Sequence, residues 1–116
     1  GNGKNIRCYL SVNDFTNAIY LLIKKNKIGI YNIGNNKYFK NLEIAKLICK
    51  KLGSNPKKSI KFINDRPFND KRYSINISKI KRLGWKPKKN LVNDIETIVE
   101  WYKKNHKVFK NKLTNF

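Results

Sequence analysis

The chain is predicted to fold in the α/β class, from the way strand-like and helix-like segments alternate along its 116 residues. Short apolar runs closed by glycine or proline alternate with stretches whose apolar residues recur every three or four positions. About four helices and two or three short strands can be counted. That is too few for a complete doubly wound sheet, so the expectation is one portion of a larger α/β protein.

Ile6 to Leu10 reads as the first strand. Ser11-Val-Asn-Asp14 has the form of a capping box, in which the serine oxygen and the aspartate carboxylate serve free amides of a starting helix. Phe15, Ala18, Ile19, Leu22 and Ile23 then line one helix face. Lys24, Lys25 and Lys27 gather at its end, where cations oppose the helix dipole. Gly29-Ile-Tyr-Asn-Ile-Gly34 has the pattern of a buried strand, and residues 35–37 that of a polar loop.

Asn41 is positioned to cap a second helix that turns Leu42, Ala45, Ile48 and Leu52 inward and stops at Gly53. A turn around Pro56 leads to a third strand-like run, Ser59 to Ile63, and then to a charged loop stiffened by Pro67. Ser78 starts a short helix ended by Gly84 and Pro87. Asn90 precedes a last helix with Val92, Ile95, Val99 and Tyr102 on one face. Trp85 and Trp101 read as core aromatics. The lysine-rich tail, residues 105–116, is expected to fray beyond His106.

The net charge of +20 brings nucleic acid to mind, since lysine and arginine neutralise phosphates. Its distribution argues against specific binding. The arginines are only Arg7, Arg66, Arg72 and Arg82, and the lysines are scattered over every segment. No zinc-finger spacing, basic zipper or aromatic RNA-binding signature accompanies them. Abundant lysine, asparagine and isoleucine instead match the residues favoured by AT-rich codons. No apolar run reaches 18 residues, so no membrane span is expected, and no apolar stretch follows Lys4 as a signal peptide would require. Cys8 and Cys49 stand far apart, in no metal-ligand spacing, and read as reduced thiols of a cytoplasmic protein. No metal site is expected. The chain contains no Met and opens on Gly1-Asn-Gly, as a piece of a longer protein would.

Three stretches carry a resemblance. Residues 1–14 follow the pattern G-x-G-x-x-I-R-D-W-x-Y-V-x-D, with Cys8 and Tyr9 in place of its D-W. Tyr31-Asn-Ile-Gly34 is followed by Lys40-Asn41 at the next helix. Asp65-Arg-Pro-Phe-Asn-Asp-Lys-Arg-Tyr73, then Ser78-Lys-Ile80 and Leu83-Gly-Trp-Lys-Pro87, follow D-R-P-G-H-D-x-R-Y…K-I…L-G-W-x-P, and Val99-Glu-Trp-Tyr102 matches a closing helix. Together these resemble the extended short-chain dehydrogenase/reductases and, within them, the dTDP-glucose 4,6-dehydratases, over residues 1–104. The second stretch and Leu-Gly-Trp-x-Pro mark the superfamily. The Asp-Arg-Pro-x-x-Asp-x-Arg-Tyr loop is narrower and is similar to glucose-type dehydratases.

The resemblance implies the C-terminal, sugar-nucleotide-binding lobe of such an enzyme, with most of the Rossmann core missing. It implies that Arg7, Asn41 and Arg66 hold the substrate diphosphate, for which a planar guanidinium is well suited. Asn41, at a helix start, would add its amide beside free backbone amides. Asn69, where the family has His, and Tyr73 are weaker substrate contacts. NAD would be bound by the missing N-terminal half, which also holds the Tyr-x-x-x-Lys pair and the acid–base carboxylates. Tyr20 and Lys24 match the spacing of that pair, but they lie downstream of the Ile-Arg strand, on a helix surface, and are rejected. No catalytic or cofactor-binding residue is assigned, and the chain alone should be inactive.

The reaction implied is conversion of dTDP-glucose to dTDP-4-keto-6-deoxyglucose, as in deoxysugar formation such as that of rhamnose. A nucleotide-sugar epimerase or decarboxylase of the same family, or a non-catalytic basic binding module, are the alternatives. The base, thymine or uracil, stays open, as does whether the remainder lies upstream, on another chain or nowhere. A homodimer is implied only for the full-length enzyme.

Overall fold

The computed structural model describes residues 1–113, which form a small α/β unit of five helices and one two-stranded sheet. In chain order these are β1 (Ile6–Cys8), α1 (Val12–Lys24), β2 (Tyr38–Lys40), α2 (Asn41–Leu52), α3 (Pro56–Ser59), α4 (Ser78–Lys81) and α5 (Leu91–Leu113). The strands β1 and β2 pair antiparallel, with Ile6 opposite Lys40, Arg7 opposite Phe39 and Cys8 opposite Tyr38. Along the other edge of β1 runs the charged loop, through a parallel bridge between Ile6 and Arg72. The Ile6 amide donates to the Lys71 carbonyl at 2.7 Å, and the Tyr73 amide to the Ile6 carbonyl at 3.4 Å. This bridging ties a loop more than sixty residues downstream to Arg7.

Ser11 caps α1 as its sequence implies, its Oγ accepting from the Asn13 amide at 3.3 Å. Asp14 does not complete the box. Its carboxylate is buried and accepts from the Lys88 and Lys89 amides at 3.1 and 2.9 Å, while its carbonyl accepts from the Trp85 indole at 3.2 Å. Asp14 therefore ties the segment after α4 onto α1. Ala18, Ile77, Ile80 and Trp85 form the core at that junction, with Leu10, Leu21, Leu22, Tyr31 and Ile33 packed around them. A second contact joins α2 to α5, where Ile44, Cys49, Ile95 and Val99 are buried and Lys51 pairs with Glu96 at 2.7 Å. The inward face of α2 is rotated from the one expected: Ile44 and Cys49 are buried, and Leu52 is exposed.

Two expected strands are not formed. Residues 29–34 run without a ladder partner, and Ile28 and Ile30 stand 93% and 87% exposed. Tyr31 and Ile33 still pack on the core, so one side of this segment is covered and the other is bare. The stretch expected as a third strand starts on Ser59, the last residue of the single-turn helix α3, which Asn55 caps, and continues without a strand partner. The strand β2, by contrast, falls where a loop leads into a helix, and Asn41 is the first residue of α2 rather than its cap. Lys40 holds the cap position, its amide donating to Glu43 Oε2 at 2.8 Å. Trp101 is half exposed, edge-on to Tyr102, and so does not sit in the core. The helix α5 runs past His106 to Leu113, and the remainder of the expected frayed tail lies outside the described residues. Both cysteines are free, Cys8 half-buried and Cys49 buried. Among the described residues no helix is long and apolar enough to cross a membrane, and no group of side chains has a metal-binding arrangement.

Candidate functional site

The bridging of the charged loop onto β1 brings four of the five candidate residues together. Arg7 projects from β1, and its Nη2 donates to Asn69 Oδ1 at 3.1 Å. Arg66 reaches the same oxygen from within the loop, through its own Nη2 at 3.2 Å. Two guanidinium groups thus converge on one neutral acceptor, with the Asp65 carboxylate behind it acting on Arg66 as a nearby charge. Tyr73 lies beneath Arg7, with the guanidinium carbon 4.2 Å from the ring centroid, a cation–π contact that fixes the arginine plane. Arg72 stacks in the same way on Tyr38, 4.5 Å away, on the neighbouring strand.

The loop is braced from within. Asp65 Oδ1 accepts from Asn69 Nδ2 at 2.7 Å and from the Arg66 amide at 3.0 Å. These bonds, the one from Asn69 first, favour the ionised carboxylate and hold Asp65 below the ordinary 3.8. Asn5, buried at the head of β1, donates from Nδ2 to the Asp70 carbonyl at 3.2 Å and so anchors the loop's other end.

Asn41 stands apart. Its Oδ1 accepts from the Tyr9 hydroxyl at 3.2 Å, and no hydrogen bond joins it to the arginines among the described residues. The free amides expected beside it are already occupied, since Asn41 N donates to the Asn5 carbonyl and Leu42 N to the Gly3 carbonyl, both at 3.0 Å. With the Glu43 carboxylate also in that first turn, the helix start offers no bare anion site. What Asn41 offers is its side-chain NH2, its oxygen being taken by Tyr9.

Sequence reasoning missed Asp65, Asn5 and Tyr9 as residues of this site. For Asp65 a signal existed, because an aspartate four residues before an asparagine across a proline turn can bond to it locally. Nothing local marked Asn5 or Tyr9. Arg7 is half-buried and Arg66 exposed, and neither lines the 480 Å³ cleft between Leu10, Val12, Lys89 and Asp94.

Paired arginines and a braced loop on an α/β frame place two guanidiniums side by side, an arrangement chemically suited to phosphate oxygens. The chain belongs to the GDP-mannose 4,6 dehydratase family, whose model matches residues 1–98. It is 37% identical over 106 residues to a trifunctional UDP-glucose 4,6-dehydratase/UDP-4-keto-6-deoxy-D-glucose 3,5-epimerase/UDP-4-keto-L-rhamnose-reductase of Arabidopsis thaliana, covering 90% of this chain and 16% of that protein. With dTDP-glucose 4,6-dehydratase 1 of Escherichia coli K12 it shares 37% identity over 119 residues, or 96% of this chain and 33% of the relative. Among solved structures it is similar to the dTDP-glucose 4,6-dehydratase DesIV of Streptomyces venezuelae, with NAD and TDP bound. The TM-score there is 0.87 at 29% identity, over 96% of this chain and 35% of that one. These relatives are 4,6-dehydratases, NAD is the family's cofactor, and this chain spans about a third or less of their length.

Proposed function

We propose that this chain is the sugar-nucleotide-binding portion of an NAD-dependent nucleotide-sugar 4,6-dehydratase acting on dTDP-glucose. The observation that carries this reading is the convergence of Arg7 and Arg66 on Asn69, two fixed guanidiniums with no acidic partner between them. A nucleoside diphosphate brings the negative charge and paired oxygens that such a fork accepts. Arg7 and Arg66 hold the diphosphate, Asn41 donates to it from its side chain, and Tyr73 keeps Arg7 flat. Asn69 lies between the two arginines.

The part of the protein that would hold NAD is not found in these residues. The strand-to-helix junctions, Leu10–Val12 and Lys40–Asn41, contain no glycine, whereas a dinucleotide pyrophosphate needs a glycine-rich turn there. NAD, bound elsewhere, would supply the hydride chemistry at the sugar, and the chain's own residues bind and orient the substrate. By itself the chain is inactive. Bare apolar side chains support this division: Val12 and Ile23 on α1, with Ile28 and Ile30 after it, are 72–93% exposed. The rest of a cytoplasmic, dimeric enzyme would cover that face.

Calorimetric titration of the chain with dTDP and with thymidine, in moderate salt, tests the reading. The expected result is one-to-one binding of dTDP, none of thymidine, and loss of the dTDP signal in an R7A/R66A variant. Equal binding by that variant would mean that the scattered lysines, not this site, attract the ligand.

A further inference from the structure

Asn69 is drawn into more interactions than a substrate contact requires. Its amide is oriented by its own bonds: the NH2 points at Asp65 Oδ1, 2.7 Å away, and the oxygen therefore faces the two guanidiniums. Both acceptor directions of that oxygen are taken by Arg7 and Arg66. Neither arginine forms a salt bridge among the described residues: Asp65 bonds to Asn69 and to the Arg66 main chain, and acts on the Arg66 side chain only as a nearby charge. From these contacts we infer that Asn69 is a positioning residue. It holds Arg7 and Arg66 at a common spacing for the diphosphate through a neutral oxygen, and Asp65 sets its orientation from behind.

The physical reason for a neutral bridge is competition. A carboxylate at position 69 would bind both guanidiniums more strongly than an amide does, and an arriving diphosphate would then have to displace it. An amide oxygen orders the two cations and leaves their charge for the ligand. Preordering matters because an arginine carries four rotatable side-chain bonds whose freedom is otherwise lost on binding. The groups that face the bridge are Arg7 from β1, and Arg66, Asp65 and Tyr73 from the loop.

This inference rests on the proposed diphosphate site, and the test separates the two. The dTDP affinity is measured for the wild-type chain, N69A, R7A/R66A and the triple variant that combines them. Asn69→Ala should weaken dTDP about tenfold in the wild-type background, the size of a lost charge-assisted contact. In the R7A/R66A background, where residual binding is read at low salt, the same substitution should change nothing. A positioning residue has no effect once the groups it positions are gone. Equal tenfold losses in both backgrounds would make Asn69 a direct ligand contact and overturn the inference. So would unchanged affinity in the N69A variant. Absence of dTDP binding by the wild-type chain would remove the proposed function, and the inference with it. Asn69 is half-buried on an exposed loop, and an unchanged melting curve for N69A certifies the comparison. If N69A melts early, Asn69→Ser, which keeps a small oxygen acceptor, replaces it under the same two-background criterion.

Discussion

Removing the carboxylate of Asp14 should destabilise the chain by severing the tie between α1 and the segment after α4. Asp14 is 2% exposed, and its Oδ2 alone satisfies two backbone amides, those of Lys88 and Lys89. Asp14→Ala leaves both amides without that partner. A hydrogen bond to a charged group is worth roughly 1.5–3 kcal/mol, and because these amides are only partly buried, water recovers some of the loss. The net cost is then about 3 kcal/mol, or a fall in Tm of roughly 12 °C for a domain of this size. The Trp85 indole bonds to the Asp14 carbonyl and keeps its partner, so the core itself stays closed. Asp14→Asn retains an acceptor oxygen in the same place and should cost only about 1 kcal/mol, the difference between a charged and a neutral acceptor. Urea unfolding followed by circular dichroism gives both values. If Asp14→Ala cost less than about 0.5 kcal/mol, or as little as Asp14→Asn, the tie between α1 and the segment after α4 would not hold as described.

Other outcomes follow from the same structure. Ile80 is fully buried, and Ile80→Ala should cost about 3 kcal/mol through lost burial and an unfilled cavity, read by the same unfolding assay. Gly3 has φ +71°, and a Cβ there would lie 2.8 Å from the Leu42 Cβ. Gly3→Ala should therefore cost about 1–2 kcal/mol and reduce amide protection at the start of α2 in hydrogen exchange. Asp65 is held below 3.8 by Asn69, and Glu96 below 4.5 by Lys51. Both folded-state values are depressed, so their stabilisation is complete above about pH 5 and is lost as pH falls through the folded values. A D65N/E96Q variant should show a shallower decline of Tm in acid, and one as steep as wild type would remove these groups from the account. Both carboxyls are exposed, so the effect is small.

How much was legible depends on whether the partner of each residue was local. The Ser11 cap could be read because a cap's partner lies two residues away. Asp14 satisfied the same local pattern, yet its carboxylate went to amides more than seventy residues on, and no spacing rule could show that. Residues 29–34 have strand composition, but a strand is defined by a neighbour, and none is present among the described residues. The strand β2 was missed for the opposite reason: three residues are too few for a period-two signal, and only the register with β1 reveals it. At the candidate site, Arg7, Arg66, Asn69 and Tyr73 were named from a sequence pattern, and the parallel bridge at Ile6 is what brings them together. The backbone amides beside Asn41 were taken to be free on its position alone, and two carbonyls from residues 3–5 occupy them.

The most direct test of the central claim is to map dTDP-glucose onto the chain by NMR, following backbone amides and arginine Nε–H groups during a titration at physiological salt. The account predicts saturable shifts at Arg7, Arg66, Asn69 and the Asn41 side chain, with the lysines of α1 and α5 unmoved. Shifts spread over those lysines, with the arginine pair silent, would contradict it.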